Sequence, residues 1–161
     1  MQKKLNNKGF TIVEVLIVLA IAGAILAAVL IAVPALQRSG RNATAKTAAQ
    51  QIVSGIQESE AANGGAAPAG IASLSNGLIT WTGGASGTPV TTTTQVSTNI
   101  SAVTFASGAP GAATVGKIYV SKGYTCNPSN TASQAGSANQ FAVMYPIEGG
   151  AANPVEGCIA A

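Results

Sequence analysis

The chain is expected to fold as an α+β protein, a long N-terminal α-helix packed on a small antiparallel β-sheet head. Three observations predict this. From Phe10 to Leu36 the sequence is apolar except for Thr11 and Glu14. From Asn42 to Ala62, Ala45, Ala48, Ala49, Ile52, Val53 and Ile56 recur at three- and four-residue spacing, the signature of an amphipathic helix. Beyond Gly64-Gly65, short runs rich in Val, Ile, Thr and aromatic residues alternate with Gly, Ser, Asn and Pro, which is how strands and turns read.

Taken in order, residues 1–9 form a short basic leader carrying Lys3, Lys4 and Lys8. Residues 10–38 form an apolar helix of membrane-crossing length. Its stretch from Val15 to Gln37 has no charged residue and, at about 1.5 Å per residue, is long enough to cross a hydrocarbon layer. The preceding lysines place the N-terminus in the cytoplasm and everything after Arg38 outside. Pro34 falls inside this helix, where it removes one backbone hydrogen bond and crowds the preceding turn. A functional kink and a proline merely tolerated in a membrane helix are both open readings.

Residues 39–63 continue as the water-facing amphipathic helix, ended by Gly64-Gly65 and Pro68. Residues 64–161 form the β-rich head. Its strand candidates are Leu78–Thr82, Val90–Val96, Ala102–Phe105, Lys117–Val120 and Gln140–Tyr145. Such a sheet needs a cover for one face, and the helix at 42–62 is the obvious one. The Thr91–Thr94 run reads equally as a strand or as a glycosylated loop. Asn42-Ala43-Thr44 and Asn99-Ile100-Ser101 match the N-glycosylation pattern, a three-residue signal common by chance.

Composition narrows the chemistry. The 161 residues suit one modest domain plus an anchor, with about 95 residues left for the head. Only 8% are charged, and the chain has neither His nor Asp. This removes Ser/His/Asp and Cys/His catalysis and His-based metal sites, so no catalytic residue, metal ligand or cofactor is expected. The net charge of +3 is carried by the leader: beyond Gly9, five cations (Arg38, Arg41, Lys46, Lys117 and Lys122) face five glutamates. With two cations in the head, there is no strong nucleic-acid signal. Glu148 and Glu156 near the C-terminus read as solvated surface charges rather than a shared site. Cys126 and Cys158 read as one disulfide in an oxidising exterior, the alternative being two buried thiols.

Glu14 is the informative exception. A carboxylate at membrane depth costs about 2.5–3.5 kcal/mol on insertion scales, and such residues are functional by default. Thr11-Ile12-Val13-Glu14 is also a capping-box pattern, in which the Glu side chain returns to the N-cap amide. That second reading alone would make Glu14 a local helix device.

The run Lys8-Gly9-Phe10-Thr11-Ile12-Val13-Glu14-Val15-Leu16-Ile17-Val18-Leu19-Ala20-Ile21 resembles the N-terminal signature of type IV pilin precursors. A short basic leader ends in Gly, Phe follows, and Glu stands fifth after the cleavage point. The resemblance covers about 30 residues, and the helix-then-sheet order with a late cysteine pair is similar to the family's architecture. It implies cleavage between Gly9 and Phe10 by a prepilin peptidase, N-methylation of Phe10 by the same enzyme, and a role for Glu14 and the Phe10 amine in assembly. It implies a homo-oligomeric helical filament, an assembly platform and a motor ATPase. The precursor would sit in the cytoplasmic membrane and the assembled form at the cell surface. The filament's use, whether adhesion, twitching motility, DNA uptake or secretion, is not written in the head. Rival readings are a minor pilin or pseudopilin, and a monomeric membrane-anchored adhesin or binding module. Pseudopilins often bind calcium through a C-terminal acidic loop, and a tail without Asp argues against that branch.

Overall fold

The computed structural model describes residues 9–83, 92–96, 100–111, 113–149 and 155–161. The chain divides into two compact units, one ending at Arg38 and the other running from Ser39 to Ala161. Helix α1 (Ile12–Ala62) supplies the first unit and opens the second.

In the first unit the helix is apolar from Val15 to Leu36, with a window of mean hydropathy 3.1 that is long enough to cross a membrane. Its large side chains, from Ile12 through Leu19, Leu26 and Leu30 to Leu36, are all exposed. Pro34 lies inside the helix, also exposed.

The second unit is where the sequence periodicity becomes packing. From Ala45 onward one helical face is buried: Ala45, Ala48, Ala49, Ile52, Gly55, Ile56 and Ser59. The small residues let the helix lie close to its cover. At Gly55 an added Cβ would stand 2.1 Å from Thr94 Oγ1 and 2.8 Å from Trp81 Nε1, so only glycine fits. Trp81 Nε1 donates to Thr94 Oγ1 at 2.9 Å, which satisfies the one polar atom of a fully buried indole. The helix ends where expected. The Gly65 amide donates to the Glu60 carbonyl at 2.7 Å across Gly64, whose φ of +68° only glycine adopts cheaply.

The strands are β1 (Gly70–Ser75), β2 (Leu78–Thr82), β3 (Thr92–Gln95), β4 (Ala102–Ala106), β5 (Lys117–Lys122), β6 (Tyr124–Cys126), β7 (Ser133–Ala135), β8 (Phe141–Ile147) and β9 (Val155–Ala160). They form three sheets rather than the single antiparallel sheet expected: β1-β2-β3, β4-β5-β8-β9, and the β6-β7 hairpin. The second sheet is mixed, because β4 runs parallel to β5 while β5-β8 and β8-β9 are antiparallel. A parallel pair requires a crossover rather than a hairpin between Ala106 and Lys117. Of the expected strands, β2, β4, β5 and β8 lie where the β-prone runs stand, and the run expected at Val90–Val96 is strand β3 over Thr92–Gln95; Val90 and Thr91 lie outside the described residues.

β1, β6, β7 and β9 lie outside the expected runs: Gly, Ala and Ser dilute the strand character of β1, β7 and β9, and β6 is a β-prone run of only three residues, Tyr124–Cys126. Propensity is overridden there by pairing. For β1 a signal did exist: Asn76-Gly77 forms a two-residue turn with φ of +50° and +75°, the geometry that Asn-Gly favours between strands.

The main core lies between the helix face and the sheets, built on Ile79, Trp81, Ile118, Val120, Phe141, Val143 and Tyr145. A second, smaller core of Ala113, Ala142, Met144 and Cys158 has Tyr119, Tyr124 and Cys126 packed against it. Strand β8 therefore contributes alternate residues to two cores, which explains its unbroken apolar run. Cys126 of β6 and Cys158 of β9 are joined in a disulfide, Cα atoms 5.7 Å apart.

Candidate assembly segment and the head's polar clamp

The N-terminal segment begins with Gly9 and Phe10 ahead of the helix, Phe10 being 88% exposed. Thr11 is the N-cap. Its amide and its hydroxyl both donate to Glu14 Oε2, at 2.9 and 2.8 Å, and the Glu14 amide returns to Thr11 Oγ1 at 3.3 Å. This is a complete reciprocal capping box, which satisfies donors that the first helical turn otherwise leaves bare. The local device named as an alternative role for Glu14 is thus present. Both bonds land on Oε2, so the other carboxylate oxygen takes no part in the cap. The carboxylate also sits at the helix N-terminus, where the helix dipole favours negative charge.

The polar groups of the second unit are organised differently. Arg41 donates to Glu148 through Nε and Nη2, 2.6 Å to each carboxylate oxygen, a bidentate fork. Hydrogen bonding to Glu148 raises the Arg41 pKa still further above its ordinary range. Beside it, the Asn42 carboxamide brackets the backbone of the same residue: Nδ2 donates to the Glu148 carbonyl at 3.1 Å, and Oδ1 accepts from the Glu148 amide at 2.7 Å. The nitrogen that would carry a glycan at the first sequon is therefore engaged in a part-buried bond. Asn99 of the second sequon lies outside the described residues.

Glu148 and Glu156 do not share a site, and the reading of both as solvated surface charges is corrected. Glu148 belongs to the clamp, and Glu156 Oε1 accepts from the Ala113 amide. Sequence reasoning missed the clamp because its members are more than a hundred residues apart. Among the described residues no group of three or more His, Cys, Asp or Glu could hold a metal. Burial raises the Tyr145 pKa above 10.0, keeping its hydroxyl neutral.

The known family that the chain matches is described as the prokaryotic N-terminal methylation motif, aligned with residues 4–30. This is the class III signal peptide of type IV pilins. No curated protein and no solved structure matches the chain significantly. The matched signal peptide contains Gly9, Phe10, Thr11 and Glu14 and reaches Leu30, so the capping box lies wholly within it. Over residues 4–30 the chain is similar to type IV pilin precursors, and that motif points to a structural protein. The signal peptide and the apolar helix behind it fit a membrane-anchored precursor.

Proposed function

We propose that the protein is a structural subunit of a type IV pilus-like surface filament. The observation that carries this is the pilin-type signal peptide continuing into a helix whose apolar side chains have no cover of their own. Such a surface requires lipid or neighbouring helices, and this reading supplies each in turn. Residues 1–9 are the leader, 10–38 the filament-core helix, 39–63 its amphipathic continuation and 64–161 the head. A prepilin peptidase cuts between Gly9 and Phe10 and methylates the new Phe10 amine. An assembly platform and a motor ATPase then move the helix from the membrane into a homo-oligomeric filament outside the cell.

Transfer from lipid to a helix bundle gains little from hydrophobicity, because both surroundings are apolar. Direction must come from packing and from charge. Ala20, Ala22, Gly23, Ala24, Ala27 and Ala28 let neighbouring helices approach closely. Glu14 can cap its own helix through Oε2 and receive a neighbour's Phe10 amine through Oε1. An unpaired carboxylate in lipid is penalised, and the next subunit relieves the penalty. Pro34 offers a bend within the packed helix.

The test is the N-terminal sequence and intact mass of the protein from its host. A chain starting at N-methylated Phe10 is expected. A chain retaining Lys3 to Gly9 would replace this reading with a membrane-anchored binding module, and a start near Ala28 with a secreted protein. Abundance on purified filaments separates a major subunit from a minor pilin or pseudopilin.

A further inference from the structure

The clamp on Glu148 has a consequence for where the head takes hold of its helix. No residue from Ser39 to Thr44 is buried; the first buried helical side chain in the second unit is Ala45. Burial therefore does little to tie these residues to the sheet, Asn42 and Thr44 alone being half-buried. Their composition is also poor for a helix. Gly40 costs about 1 kcal/mol relative to Ala, and an added Cβ there would meet nothing within 4 Å. Thr44 and Thr47 return their hydroxyls to the carbonyls of Gly40 and Ala43, a back-bond that weakens and bends helices slightly. Against this, four hydrogen bonds run from two adjacent helical positions, Arg41 and Asn42, to one residue just past the end of β8.

The bonds divide the labour. The Asn42 carboxamide offers the Glu148 backbone the donor and acceptor that a neighbouring strand would offer. On one side of β8 the ladder to β5 ends at Tyr119 and Met144, and on the other the ladder to β9 runs to Ile147 paired with Val155, so the bracket takes hold just past the last of these pairs. The Arg41 fork pins the side chain of the same residue, which is only 18% exposed. Charged fork and neutral bracket together fix one helical turn on one strand end.

We propose that Arg41 and Asn42 with Glu148 form a latch that sets the point at which the helix joins the head. Closed, it holds the turn at 39–44 as part of the second unit. Open, it leaves that turn attached only through the helix, with the buried face from Ala45 onward undisturbed. The latch is a local, reversible device, because none of its members belongs to either core. It stands independently of filament formation.

Hydrogen exchange of the full-length protein in detergent, read by mass spectrometry, tests it. In Asn42→Ala and in Arg41→Ala, amides of residues 40–46 are expected to exchange about tenfold faster or more, with those of 48–59 unchanged. Arg41→Ala should add little to Glu148→Ala, since both remove the same fork, whereas Asn42→Ala should add to it, because its partners are backbone groups that the substitution leaves in place. Wild-type exchange at 40–46 in both single variants would overturn the proposal. So would equal acceleration at 40–46 and 48–59, which would make the clamp part of global stability. Both helix variants leave strand β8 intact, so the test does not depend on Glu148→Ala folding.

Discussion

Glu14 shows how one residue can serve two purposes that a single substitution confuses. Glutamine can complete a capping box, whereas alanine cannot. Charge, by contrast, is lost in both. If Glu14 directs assembly through its charge, Glu14→Gln and Glu14→Ala should both leave cleavage intact and both abolish filaments, scored by electron microscopy and mass spectrometry. Filaments from Glu14→Gln alone would assign the residue to the cap. Tyr145 gives a prediction at the same scale. Its ring lies over Gly157, where an added Cβ would stand 2.3 Å from the ring. Burial raises its pKa above 10.0, so the unfolded chain releases the phenolic proton first. The contribution is complete below about pH 10 and is lost as pH rises through the folded-state value. Unfolding midpoints followed by Trp81 fluorescence should fall more steeply above pH 10 in the wild type than in Tyr145→Phe. Parallel curves would show that Tyr145 has no such linkage.

At the scale of elements, the unusual one is β9. It follows residues outside the described set and carries Glu156 and Gly157 among its apolar residues. Its place beside β8 is secured by six cross-strand pairs and by the disulfide from Cys158 to Cys126 on β6. That bridge closes a segment with sequence separation 32, and a loop of that size is worth about 3–4 kcal/mol on the chain-entropy estimate. Reduction of the full-length protein, or Cys126→Ala with Cys158→Ala, should lower unfolding stability by that order, again read through Trp81. A change below about 0.5 kcal/mol would show that sheet pairing alone holds β9, within the scatter that engineered and native bridges display. The helix illustrates the opposite case. Its buried positions, Ala45, Ala48, Ala49, Ile52 and Ile56, were all legible from spacing, because a helical face is set by residues three and four apart. Gly55 and Ser59 on the same face were not, since their burial reflects what lies opposite rather than their own polarity.

For the whole molecule, the two units answer to different physics. Among its described residues the first has no buried side chain, and in the proposed function lipid or neighbouring helices would cover it. The second buries two cores and a disulfide in about 120 residues, enough for a modest independent fold. What the sequence by itself determined was everything written locally. That includes the signal peptide from its Lys8-Gly9-Phe10 junction and Glu14, the apolar and amphipathic helical stretches from their periodicity, and the strands β2, β4, β5 and β8 from β-branched and aromatic runs. What only the tertiary structure decided was written at a distance. The parallel pairing of β4 with β5, the recruitment of β9 beside β8 and the bridging of Cys158 to Cys126, and the gathering of Arg41 and Asn42 around Glu148 each depend on partners outside the local sequence. Periodicity reports which face of an element is apolar; it does not report what that face, or a lone polar side chain beside it, will meet.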